Sequence, residues 1–262
     1  MSENSNEVAL GRKIFFLHPP GLIQNQVMAE LVQEEFEVYI VKDEAKLRLA
    51  LKKFPGSIVL ACINEGMKEN AWEEWILGAL ADTEISGLDI GIIASAADEN
   101  LRRKYLGQPK IRCGFTVLRP DLNGVIKQLV DILNGANAKG RRKFLRVIMD
   151  KESNTTVNLP MNGTFINGVI KDISVVGFSC SFAEDPGLIK NKLIGDIQIR
   201  LQSQLFKAEG IVFGSRAAEN EKIYVFLFTQ RISPEVKTRI RKYIQSNLQS
   251  RMDDELKAIP KN

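Results

Sequence analysis

The feature that most constrains how this 262-residue chain can fold is a change of rhythm near its middle. Up to about residue 133, short apolar runs alternate with helical patterns. After the run NGANAKG at 134–140, short β-rich runs follow one another, separated only by turns. Strand–helix alternation implies a parallel sheet covered by helices on both faces. A series of short strands without helices implies a small antiparallel sheet closed into a barrel.

In the first part, strands are predicted over 13–18, 36–41, 57–63, 88–94 and 114–118. Helices are predicted over 23–34, 44–54, 72–80, 100–106 and 122–133. KIFFLH and SIVLACI read as buried strands, and Val27, Leu31 and Val32 fall on one face of the first helix. In the second part, strands are predicted over 157–159, 163–173, 177–182, 194–201, 206–213 and 223–229. Asn162-Gly163 is a turn signal, and 217–221 reads as a hairpin loop. The chain closes in a helix. Ser233 is suited to cap it, Pro234 to begin it, and Glu235 to face its positive end. Val236, Ile240, Tyr243, Ile244 and Leu248 form an apolar stripe expected to dock on the barrel. The resulting division is a first domain at 13–134, a linker at 135–141 and a second domain at 141–252. The polar start, MSENSNEVALGRK, reads as a short disordered leader.

Composition narrows the functions. No apolar run approaches the ~20 residues of a membrane helix, and the N-terminus has no apolar signal core. The expectation is a cytoplasmic protein without membrane insertion. Three scattered cysteines, Cys62, Cys113 and Cys180, make no disulfide framework. With His18 as the single histidine, neither a metal site nor Ser–His or Cys–His catalysis is expected. Up to residue 140 there are 16 Lys and Arg against 19 Asp and Glu; beyond it there are 20 against 13. That asymmetry points to an anionic partner for the second half.

Two short sequences bear on that partner. Arg141-Arg142-Lys143-Phe144-Leu145-Arg146 follows the linker, and Asp172-Ile173-Ser174-Val175-Val176-Gly177 lies within the β-rich run. In this order they resemble the RxxxR and DxSxxG signatures of the PilZ family, and the resemblance extends from 141 to the C-terminus. It implies an all-β, six-stranded PilZ-type barrel with a C-terminal helix, and cyclic di-GMP as ligand. The implied site is Arg141, Arg142, Arg146, Asp172, Ser174 and Gly177. Guanidinium forks match phosphate oxygens and the O6/N7 edge of guanine, and they stack on purines. The four-residue spacing is expected to set Arg142 and Arg146 on one side of a strand or helix. Asp172 can accept the N1–H and N2–H of guanine. Ser174, two residues on, shares its strand face and is expected to reach a phosphate or base edge. Gly177 is expected to permit a tight turn and close approach of the ligand. An Arg immediately before RxxxR, here Arg141, is associated in the family with an intercalated ligand dimer. No GGDEF-like or EAL-like run is present, so no catalysis, cofactor or metal is expected.

The five βα units resemble a response-regulator receiver domain over 13–133. Where that family places an acidic pair, this chain has His18-Pro19-Pro20. Near the phosphoacceptor position it has Cys62 and Asn64. Ser95 and Arg119-Pro120 match the small hydroxyl and the Lys-Pro positions, with Arg replacing Lys. Without a carboxylate cluster there is nothing to hold Mg²⁺ or accept a phosphoryl group. The first domain is therefore expected to be a degenerate receiver-like domain, a parallel five-stranded sheet with flanking helices, that contacts a protein partner or serves as a rigid arm. Trp72 and Trp75 share a helix face and read either as packing or as an exposed docking patch. Together these readings imply an effector in which ligand at the linker/barrel junction reorients the domains and alters partner contacts. The family serves motility, biofilm and virulence control. The alternative is a nucleic-acid-binding regulator using the basic second half, with Arg239, Arg241, Lys242 and Arg251 on the terminal helix.

Overall fold

The computed structural model describes residues 11–96, 98–107, 111–150, 154–218 and 221–259. The leader up to residue 10 and the tip of the 217–221 loop, at 219–220, lie outside them. The chain divides into two units, one ending at Lys143 and taking in the chain again from Leu248, the other Phe144–Asn247.

The first unit holds strands β1 (Ile14–Leu17), β2 (Val38–Val41), β3 (Ile58–Cys62), β4 (Asp89–Ala94) and β5 (Phe115–Val117). All pair in parallel, in the order β2-β1-β3-β4-β5. Every residue of β1, β3 and β4 is buried, as expected for strands covered on both faces. Helix α1 winds as a π-helix over Ile23–Val27 and as an α-helix over Met28–Gln33. Then follow α2 (Glu44–Lys53), α3 (Glu69–Ala81), α4 (Glu99–Leu106) and α5 (Leu122–Gly135). Asp43 caps α2 by accepting the Lys46 N–H at 2.9 Å, and Asp98 caps α4. Trp72 and Trp75 are 0% and 7% exposed. Their indole N–H groups donate to the Glu65 and Glu44 carbonyls at 3.0 and 2.9 Å. The pair is core packing, not a docking patch.

The leader reading fails at Arg12. Its guanidinium meets Asp89 at 2.7 Å and donates to the carbonyls of Gly56, Ser57, Gly87 and Ala136. Those carbonyls belong to loops beside β3 and β4 and to the end of α5, so Arg12 ties three chain segments together. Edge strand β2 is also covered. The Gln249 amide accepts the Ile40 N–H at 2.8 Å and donates to the Ile40 carbonyl at 3.0 Å, satisfying part of its open edge.

The second unit comprises β6 (Arg146–Ile148), β7 (Thr155–Met161), β8 (Thr164–Ser174), β9 (Gly177–Phe182), β10 (Leu193–Leu201), β11 (Gln204–Ala218) and β12 (Glu221–Phe228). The order is β6-β8-β7-β10-β11-β12-β9, and β9 pairs back onto β8. Six antiparallel strands thus close into the expected barrel, and β6 is an addition that the sequence reading did not foresee. Asn162 and Gly163 both take positive φ, 51° and 82°, as a two-residue hairpin turn requires. Inside the barrel the rings of Phe178 and Phe226 stack at 4.9 Å, from directly paired positions of β9 and β12.

The terminal helix, α6 (Pro234–Ala258), begins as predicted. The Ser233 hydroxyl accepts the Val236 N–H at 3.3 Å. Ile240, Tyr243 and Ile244 are buried in the barrel unit. Leu248, placed on the same stripe by sequence, packs instead on the first unit's core together with Met252 and Leu256. Among the described residues no helix is long and apolar enough to cross a membrane.

Candidate ligand-binding site

The DxSxxG segment is the hairpin joining β8 to β9. Val175 and Val176 form its turn, with Ser174 paired to Gly177. The Ser174 hydroxyl donates to the Gly177 carbonyl at 3.2 Å and accepts the Val176 N–H at 3.4 Å. Ser174 is buried, and its polar capacity closes its own turn.

Asp172 reaches the outer face through an irregularity in the β8–β9 ladder. The register shifts between Ile170 and Asp172, so Ile170 pairs with Cys180 while Asp172 pairs with Ser179. Ile170 and Ile173 are thereby both buried, and Asp172 is left at the surface of the barrel wall. There it accepts a hydrogen bond from the Ser179 hydroxyl and an ion pair from Arg146 Nη1 at 3.3 Å. The antiparallel pairing of β6 with β8 sets Arg146 opposite Ser174 and brings its guanidinium to Asp172. The Arg146 side chain is 41% exposed and that of Asp172 15%. A shallow cleft of about 150 Å³ lies here, lined by Arg146, Asp172, Ser174, Gly177, Ser179 and Arg216.

Gly177 has a packing reason beside the turn and ligand approach expected of it. A Cβ at this position would lie 2.1 Å from the Phe226 carbonyl oxygen. Glycine is required because β12 passes there, whether or not a ligand does.

Ser179 and Arg216 were not singled out by sequence. Ser179 was accessible in principle, because the alternation in GFSCSF puts it opposite Phe178 and Cys180. Arg216 carries no local signal; the closed ring brings it to the cleft. Arg141 and Arg142 are exposed and belong to the first unit. No helix or strand covers 141–145, so the shared-side argument for Arg142 and Arg146, which needs regular backbone, does not hold. Arg141 lines a cavity of about 690 Å³ with Arg12, Gly56, Gly87 and Lys139.

In the first unit, the loops after β1, β3, β4 and β5 meet at the carboxyl ends of the strands. The Ser95 N–H donates to Asn64 Oδ1 at 2.7 Å. His18 takes φ 50° and pairs with Glu44 at 3.1 Å, its ring lying against Gly66. Burial, with Glu65 nearby, pushes the Cys62 thiol far above its ordinary range. Among the described residues no group of three His, Cys, Asp or Glu could hold a metal ion.

No model of a known protein family matches the chain, and no curated protein matches it. Several solved structures are similar. YcgR from Escherichia coli in complex with c-di-GMP is 16% identical, with TM-score 0.41, over 46% of this chain and 51% of that one. The MrkH–c-di-GMP complex of K. pneumonia is 18% identical, with TM-score 0.40, over 45% and 57%. The inhibitor of motility from Bacillus subtilis is 13% identical, with TM-score 0.36, over 47% and 55%. The chain thus spans just over half the length of these solved chains. The PilZ domain of YcgR, solved with c-di-GMP, is matched over 99% of its length at 14% identity and TM-score 0.38.

Proposed function

We propose that this chain is a cyclic di-GMP-binding effector whose ligand is gripped at the β8–β9 end of the barrel and by the arginines before β6. One observation carries the reading. In a chain containing both RxxxR and DxSxxG, the last arginine of the first motif and the first residue of the second form an ion pair on the barrel wall. That pair aims a half-exposed guanidinium outward, where it can meet a phosphate or the O6/N7 edge of guanine. Asp172 is already ion-paired with Arg146 and accepts from Ser179, but a carboxylate has about four lone-pair sites, leaving room for the N1–H and N2–H of guanine. Ser174 and Gly177 then act by shaping the hairpin. Arg142 supplies the second cation. Arg141 adds a third, suited to a stacked dimer of ligand.

Ligand that engages both the segment before β6 and the barrel would reorient the two units and change the surface offered to a protein partner. The energy for this is the difference in ligand affinity between the two arrangements. Binding, not chemistry, is the activity.

Titration calorimetry of the full chain with cyclic di-GMP tests the proposal. Micromolar or tighter binding is expected, lost in Arg142→Ala/Arg146→Ala and in Asp172→Ala. No heat from the wild type would overturn it. Two ligands per chain are expected, falling to one in Arg141→Leu; one ligand in both would remove the dimer. X-ray scattering unchanged at saturation would refute the reorientation. A gel shift with duplex DNA, with and without cyclic di-GMP, tests the nucleic-acid alternative.

A further inference from the structure

The first unit has its own cavity, of about 420 Å³, at the carboxyl ends of its strands. In a sheet of order 2-1-3-4-5 this is the end at which ligands bind, beside the point where strand order reverses between β1 and β3. Its walls come from the loops after four strands: Pro20 and Leu22 after β1, Cys62 and Asn64 around the end of β3, Ile93 and Ser95 around the end of β4, and Leu118 and Arg119 after β5.

The chemistry of this lining is not that of a phosphoryl site. The walls are aliphatic, the Cys62 thiol is held neutral by burial, and the Asn64 amide is committed to the Ser95 backbone. Among the described residues, the one cation that lines the cavity is Arg119, which is exposed and makes no ion pair with any of them. Glu65 also lines it, and its negative charge opposes a dianion such as a phosphate monoester about twice as strongly as a singly charged ligand, which the one Arg119 charge can match. An apolar pocket of this size with few polar groups fixing orientation is suited to a small organic ligand.

We propose that this cavity binds a small monocarboxylate with a hydrocarbon body. The chain or ring packs against Leu22, Ile93 and Leu118, and the carboxylate meets Arg119, with the Ser95 hydroxyl as second donor. This site is independent of cyclic di-GMP binding.

The test is titration of the full-length chain with octanoate and phenylacetate, and with n-octanol as the uncharged control, followed by backbone amide shifts and calorimetry. Saturable shifts centred on Asn64, Ser95 and Arg119 are expected, with octanoate binding more tightly than octanol. Because Arg119 is exposed, Arg119→Gln should fold normally. It should weaken octanoate by about tenfold or more while leaving octanol unchanged, the scale of a charge-assisted contact. No shifts at these residues, equal affinity for the alcohol, or an unaffected Arg119→Gln would each overturn the proposal. So would shifts that depend on protein concentration alone, which would make this face a contact between copies of the chain.

Discussion

Adding one methyl group at Gly177 separates two explanations of the DxSxxG glycine. The new Cβ would stand 2.1 Å from the Phe226 oxygen and 3.2 Å from the Leu227 Cα, where ordinary contact begins near 3.4 Å. Both neighbours are backbone, so no side chain can swing aside; β9 and β12 must part by more than 1 Å. What they share at this point is the Gly177–Leu227 and Phe178–Phe226 pairing, with its stacked rings. Overpacking of this kind costs about 1–3 kcal/mol, and one weakened ladder hydrogen bond adds about 1 kcal/mol. A total near 3 kcal/mol corresponds to a melting temperature lowered by roughly 10–20 °C for a unit of this size. The control is Gly195→Ala, where the added Cβ meets no atom within 4 Å. Its effect should stay within about 0.5 kcal/mol. Scanning calorimetry without ligand measures both. If Gly177→Ala melts within a few degrees of Gly195→Ala, the strand-crossing argument is wrong and the glycine stands there for the ligand.

Three further outcomes are expected. Arg12→Ala should destabilise the first unit by about 2–4 kcal/mol in chemical denaturation, because it leaves the largely buried Asp89 with only Arg112, at 3.7 Å; a loss under about 0.5 kcal/mol would mean that Arg112 suffices. Hydrogen bonds from Tyr224, the Gly187 N–H and Lys222 hold the Asp185 carboxyl down at about 2, against an ordinary 3.8. Its stabilisation is full above the ordinary value and lost as pH falls through about 2, so the stability gap between wild type and Asp185→Asn should be flat above about pH 5 and close on acidification. A gap that persists undiminished below pH 2 would contradict this. Burial raises all three thiols, Cys113 to about 11 with Asp89 contributing and Cys62 and Cys180 beyond it. None should react with iodoacetamide at pH 8 in the native protein, and all three should after unfolding; rapid native labelling would contradict that burial.

The architecture was legible where periodicity or turn chemistry left one solution. The run SIVLACI could only be a strand buried on both faces, and Asn162-Gly163 could only turn tightly, because both residues must tolerate positive φ. Helix α6 was readable from Ser233 and Pro234, but its stripe was assigned to one partner. Hydrophobic spacing states that a face is buried, not against what, and Leu248 went elsewhere. Strand β6 is three residues long, below the length at which alternation can be recognised. Arg12 was hidden because a guanidinium satisfied by carbonyls from three loops looks, in sequence, like any solvated base. At the ligand site the motif residues were legible as types but not as roles. The register shift before Asp172 and the passage of β12 over Gly177 are long-range facts with no local trace.

The way β6 is attached bears on how the protein would answer a ligand. Each of the six strands of the ring has a paired neighbour on both sides, so none can leave without opening the barrel. Strand β6 is paired only with β8 among the described residues, and Val147 is its one buried side chain. It can therefore lift away while the ring stays shut, at a cost far below that of global unfolding. Its amides, and that of Met149, which donates to the Lys171 carbonyl at 2.7 Å, should exchange with solvent deuterons well before those of β9 or β12. Since Arg146 rides on this strand, a ligand that holds the guanidinium would be registered first as slowed exchange in these few residues.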